Sequence, residues 1–188
     1  MRSRIGSVLT CSLALALFFS LTLAQTEPHY NELPNFHKVN NQLYRGGQPE
    51  PDGFDKLSRL GIKTIINLRD DDSRAIDEAK QARTAGFTYF NVPVARLGRP
   101  NEADIRKVLA IIAAPENQPV FVHCKYGADR TGVVIGSYRI LHDGWTSERA
   151  KAEAKSFGMK LWEVGMKDYL RDLYRQQQVK TPATTSSQ

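Results

Sequence analysis

The sequence predicts an α/β fold: a central, mostly parallel sheet of four to five strands flanked by helices. Three observations point there. Short β-branched runs alternate with longer segments of helical periodicity between residues 42 and 175. Glycine or proline marks most of the joints between them. The residues able to do chemistry cluster just after the strand-like runs, where open parallel sheets bind their ligands.

Leu43-Tyr44 opens the first strand. Residues 51–60 read as a short helix, with proline near its start and Gly61 beyond its end. Residues 62–68 form a strand rich in β-branched side chains. Asp72 or Ser73 caps a helix that reaches Ala85 and is stopped by Gly86. Residues 87–94 are the next strand, and Asn101 opens a helix to Ala113. Pro119-Val120-Phe121-Val122 is a short buried strand that delivers Cys124. Helices over 131–142, 146–157 and 160–175 complete the chain, with Gly144 separating the first two. In the last of these, Leu161, Trp162, Met166, Tyr169, Leu170 and Leu173 form an apolar face expected to join the core.

The 188 residues allow one domain of ordinary size, and a 41% hydrophobic content can build its core. We place that domain at 42–175, after an extended arm at 25–41 and before a polar tail at 176–188 expected to be disordered. Residues 1–24 read as a signal peptide: Met1-Arg2-Ser3-Arg4 is basic, 5–23 carry no charge, and Thr22-Leu23-Ala24 has the small-residue spacing of a cleavage site. The expected location is therefore periplasmic or secreted, without stable membrane association once the leader is removed. An uncleaved membrane anchor is the alternative, because the apolar span is long enough to cross a bilayer. Cleavage removes Cys11 and leaves Cys124 alone, which precludes an intrachain disulfide. The net charge of +6 suits anionic partners. The basic residues are scattered, with no aromatic-interleaved stripe, so nucleic acid is not expected among them.

The chemistry concentrates in His123-Cys124-Lys125-Tyr126-Gly127-Ala128-Asp129-Arg130-Thr131-Gly132. A strand runs into a loop that turns directly into a helix N-terminus, where free N–H groups and the macrodipole favour an anion. The backbone amides of Lys125, Tyr126, Gly127, Ala128, Asp129 and Arg130 are placed to wrap phosphate oxygens, with Gly127 permitting close approach and positive φ. Arg130 offers a planar fork that holds two oxygens at once. The helix terminus, Arg130 and the Thr131 hydroxyl all favour a thiolate, the nucleophilic form of cysteine. Attack by Cys124 on phosphorus gives a phosphocysteine that water hydrolyses, with no metal or other cofactor required. A buried structural thiol is the bland alternative for Cys124, but packing explains neither the glycines nor the arginine. His123 is either a core histidine bonded to backbone or a group that orients the loop, and in both cases it stands behind it.

This loop resembles the His-Cys-x5-Arg-Ser/Thr signature of the cysteine-based protein tyrosine and dual-specificity phosphatases. Leu43-Tyr44-Arg45-Gly46-Gly47-Gln48-Pro49 and Leu60-Gly61-Ile62-Lys63-Thr64-Ile65-Ile66-Asn67-Leu68-Arg69 extend the likeness to the compact atypical dual-specificity phosphatases of plants and fungi and their bacterial relatives. The similarity spans about residues 36–170. It implies a cysteine-phosphatase-like fold with Cys124 as nucleophile, Arg130 on the phosphate and Thr131 assisting thiolate departure. It also implies a phosphorylated protein as substrate, or alternatively a small polyphosphate such as an inositol polyphosphate or pyrophosphate. Lys125 and Tyr126 in the cradle, with Arg69, Arg96 and Arg99 on loops expected around it, suit either. A silent phosphate-binding module is a further alternative.

One element of the family pattern is missing. The loop that usually carries a general-acid aspartate reads Asn91-Val92-Pro93-Val94-Ala95-Arg96-Leu97-Gly98-Arg99-Pro100 and holds no carboxylate. Glu102 and Asp104 follow it, but in a first helical turn where complementarity to the dipole already accounts for them. Asp129, inside the cradle beside Arg130, resembles the arrangement of the myotubularin-like branch. It is the expected acid, with Asp104 and Glu102 as alternatives.

Overall fold

The computed structural model describes residues 29–180; the expected leader and residues 181–188 of the expected tail lie outside the described residues. Five strands form one sheet in the order β1-β2-β5-β3-β4. They are β1 His37–Lys38, β2 Leu43–Gly46, β3 Thr64–Asn67, β4 Thr88–Asn91 and β5 Val120–His123. Only β1 is antiparallel to its neighbour; β2, β5, β3 and β4 run parallel. The helices are α1 Gly53–Arg59, α2 Ser73–Thr84, α3 Glu102–Ala113, α4 Asp129–Leu141, α5 Ser147–Ser156 and α6 Val164–Lys180.

Side-chain alternation along the strands divides the core into two layers. Leu43, Ile66, Val120 and Val122 face a cluster built with α3, α4, α5 and α6. Ile65 and Phe121 face the other, built with Phe54 and Leu57 of α1 and Ala79 and Ala82 of α2. Each fully buried Leu, Ile, Val or Phe among them stabilises the fold by about 1.5–3 kcal/mol. Among the described residues no helix is long and apolar enough to cross a membrane.

The caps explain where the helices begin. Asp72, rather than Ser73, caps α2 by accepting from the N–H groups of Arg74 and Ala75, and Asn101 caps α3 through Ala103. Several expectations are corrected. Residues 29–41 are not a free arm, because Leu33 is buried in the α1–α2 layer and His37–Lys38 pairs with β2. Helix α4 starts at Asp129, two residues earlier than expected, so Asp129 and Arg130 lie in its first turn.

Helix α6 starts at Val164 instead of residue 160: residues 160–163 form a turn closed by the Glu163 N–H on the Lys160 carbonyl at 3.2 Å, and the Lys160 N–H donates to Asp129 Oδ1 at 2.7 Å. Leu161 and Trp162 therefore leave the apolar face and are 69% and 70% exposed, while Met166, Tyr169, Leu170 and Leu173 are buried as expected. At its other end α6 continues to Lys180, so residues 176–180 are helical rather than disordered. Extending an anchored helix fixes one residue per hydrogen bond and costs little.

Candidate active site

Strand β5 is buried along its whole length and hands the chain to Cys124, itself 3% exposed. Cys124 and Arg130 both line a cavity of about 330 Å³ beyond the carboxyl ends of the parallel strands. Between them the loop reverses at Gly127, whose φ is +67°. A Cβ there would lie 2.5–2.6 Å from backbone atoms of Gly46 and Gly47, so both conformation and space demand glycine. Ala128 is buried at the N-terminus of α4. The first turn of that 13-residue helix, with Asp129 and Arg130, thus borders the same cavity as the thiol.

Arg130 is held from the side. Its Nη1 donates to the Leu68 carbonyl at 3.3 Å, just past β3, and lies 4.0 Å from Asp70 Oδ1. Behind the loop, fully buried His123 sets Nδ1 3.4 Å from the Cys124 carbonyl and Nε2 2.8 Å from Glu78 Oε1. Asn67 Nδ2 donates to Glu78 Oε2 at 2.8 Å and to the Tyr89 hydroxyl at 2.9 Å. Burial acts to raise the Glu78 carboxyl, but the His123 charge and hydrogen bonds from His123, Gln48 and Tyr89 outweigh it and hold the group below the usual glutamate range. His123 thus lies fully buried between the Cys124 backbone and Glu78 of α2. Thr131 is also fully buried, and its hydroxyl has no hydrogen-bond partner among the described residues.

The cavity walls come from three segments. Lys125 and Tyr126 form an exposed lip, the ammonium 5.0 Å from the ring centroid. Asp129 lines the cavity with Oδ1 engaged by the Lys160 amide. Glu102 and Asp104 do not line it; Glu102 pairs with Arg106 at 2.7 Å and borders a different cavity beside Tyr169. Of the three loop arginines, Arg96 alone reaches this cavity. Arg99 pairs with Asp172 at 2.8 Å, and Arg69 donates to Gln48 and borders a separate groove.

Sequence reasoning missed one wall, formed by Lys160, Trp162 and Glu163 from the turn before α6. Glu163 is 3% exposed and accepts from the Gly98 N–H at 3.3 Å, tying the carboxylate-free loop to this turn. Glycine at 165 permits that approach, because a Cβ there would meet the Arg99 nitrogen at 2.4 Å. Glu78 was also missed, although a signal exists: it sits on the stripe of Ala75, Ala79 and Ala82, where a charged residue needs a buried partner.

Residues 18–171 match the model of a family described as DSP-PTPase phosphatase fused to NAD+ kinase. The dual specificity protein phosphatase TpbA of Pseudomonas aeruginosa is 31% identical over 139 residues, which are 73% of this chain and 59% of TpbA. Its crystal structure in complex with pTyr covers 76% of this chain and 89% of that one, with 26% identity and a TM-score of 0.62. Inositol diphosphatase DSP4 of Arabidopsis thaliana is 36% identical over 109 residues, 56% of this chain and 54% of the relative. The catalytic core of the PP-IP phosphatase SIW14 from S. cerevisiae, in complex with citrate, gives a TM-score of 0.68 at 25% identity over 78% of this chain and 90% of that one. The chain spans little more than half the length of the two curated relatives.

Proposed function

The chain belongs to the DSP-PTPase phosphatase family, and from that premise we propose that it hydrolyses phosphomonoesters through a phosphocysteine on Cys124. The observation that carries this reading is the shared cavity of Cys124 and Arg130 at the N-terminus of α4. The loop amides and the Arg130 fork hold the non-bridging oxygens equatorially, which leaves the ester oxygen in line with Cys124 Sγ. The thiolate donates an electron pair to phosphorus, an S–P bond forms, and the ester P–O bond breaks. Asp129 gives its proton to the departing oxygen, then removes one from the water that attacks the phosphocysteine. Inorganic phosphate leaves and the thiolate is restored.

The position of Asp129 on the cavity wall supports its role, with one oxygen fixed by Lys160 and the other uncommitted among the described residues. Asp129→Asn is expected to slow an alkyl phosphate much more than a phenyl phosphate, because a poor leaving group depends most on the proton. Unchanged leaving-group dependence moves the role elsewhere, with Glu163 and Asp70 the carboxylates nearest the site.

Tyr126 and Trp162 offer aromatic walls to an aryl phosphoester, which favours a phosphotyrosine protein as substrate. Arg96, Lys125 and Lys160 give the same cavity three cations besides Arg130, the observation that favours the second reading, an inositol polyphosphate. A panel of phosphotyrosine peptides and inositol polyphosphates compared by kcat/KM decides between them: the aryl reading predicts the peptides ahead, and the reverse order overturns it. Export through the apolar stretch at 5–23 belongs to the same proposal.

A further inference from the structure

Arg45 is among the largest fully buried side chains of the molecule, at 1% exposure, and the mechanism above does not use it. In the parallel register of β2 and β5 it stands opposite Val122, so Arg45, Val122 and Cys124 project from the same face of the sheet. Its Nη2 donates to the Gly127 carbonyl at 2.7 Å, and the guanidinium lies 4.1 Å from the centroid of the Phe157 ring. Nε and Nη1 meet no acceptor among the described residues. Burial pushes the group down to about 10, with Glu153 and Cys124 acting upward and Arg139 downward, so it carries its charge at neutral pH. Glu153 is already paired with Arg139 at 2.8 Å. That leaves an ionised Cys124 as the other negative group acting on the Arg45 guanidinium.

A second pattern converges on the same residue. Three successive loop carbonyls are tied from one side: Lys125 by the Gln48 N–H at 3.2 Å, Tyr126 by Asn35 Nδ2 at 3.1 Å, and Gly127 by Arg45. In a trans peptide the C=O and the following N–H point in opposite directions. The ties therefore turn the amides of Tyr126, Gly127 and Ala128 away from β2, which is the orientation an anion cradle needs.

We propose that Arg45 is a positioning residue for the phosphatase reaction: it fixes the Gly127 peptide of the cradle and stands as the buried countercharge of the Cys124 thiolate. The other charged and titratable groups around Cys124 are accounted for. His123 on β5 is engaged with Glu78 of α2. Arg130 and Asp129 on α4, Lys125 on the loop, Arg96 on the β4–α3 loop, and Lys160 and Glu163 before α6 face the cavity, and Asp70 after β3 approaches Arg130. Arg45 acts from the β2 side, through the Gly127 carbonyl.

The inference rests on Cys124 being the nucleophile, and its test does not need turnover. In the full-length chain, the rate of Cys124 alkylation by iodoacetamide is followed against pH by peptide mass spectrometry, which separates it from Cys11. Inhibition of this alkylation by inorganic phosphate is measured in parallel. Arg45→Met is expected to move the alkylation midpoint up by about one pH unit, making the reaction about tenfold slower on the acid side, and to weaken phosphate inhibition. Arg45→Lys keeps the charge without the fork, so it is expected to retain the alkylation profile and lose phosphate affinity several-fold.

A folded Arg45→Met protein with the wild-type alkylation profile overturns the countercharge, whatever its activity. If Arg45→Met does not fold, Arg45→Lys decides, and unaltered phosphate inhibition in that variant overturns the cradle role. Wild-type protein with neither turnover nor pH-dependent alkylation sinks the proposed function instead.

Discussion

Cys124→Ser is expected to remove hydrolysis of an aryl phosphate by about 10,000-fold or more while phosphate esters still bind. Serine is close to cysteine in size, so the buried floor and the loop closed at Gly127 stay intact. What disappears is the thiolate, since a hydroxyl in the same field stays protonated at neutral pH and attacks phosphorus poorly. Steady-state turnover of an aryl phosphate, with calorimetric binding of the same ester to the variant, separates the two effects. Equal turnover by variant and wild type rules out covalent catalysis at this position. Binding without turnover in the wild type establishes the silent phosphate-binding module.

Arg130→Lys is expected to lower kcat and kcat/KM together, by about 100- to 1,000-fold. Lysine keeps the positive charge but loses the planar fork that engages two equatorial oxygens as charge spreads over them. It also loses the lateral bond from Nη1 to the Leu68 carbonyl, so the point charge that remains is no longer aimed. A rise in KM with unchanged kcat would show that Arg130 serves binding alone. Stopped assays at saturating and limiting aryl phosphate make the distinction.

The parts of this molecule legible in the sequence are those governed by local rules. The short apolar run Val120-Phe121-Val122 and the caps at Asp72 and Asn101 depend on neighbours within a few residues, and they placed β5, α2 and α3 closely. Cys124, Gly127 and Arg130 were readable because one loop holds nucleophile, turn and anion clamp in a single run. The remainder depends on contacts remote in sequence. Trp162 has the spacing of a core residue but becomes a cavity wall in the turn before α6, which the Lys160 amide ties to Asp129 31 positions away. Leu33 enters the core only because the segment before β2 folds back over the sheet. Arg45 was visible as part of a family motif, yet its burial against Gly127 and Phe157 required the β2–β5 register to be known.

The most direct measurement is to quench the wild-type enzyme in acid during turnover of an aryl phosphate and to map the adduct by peptide mass spectrometry. The account predicts one phosphoryl group on the peptide containing Cys124, lost in Cys124→Ser. Turnover with that peptide unmodified at every quench time, or a phosphoryl group mapped to another side chain, would contradict it.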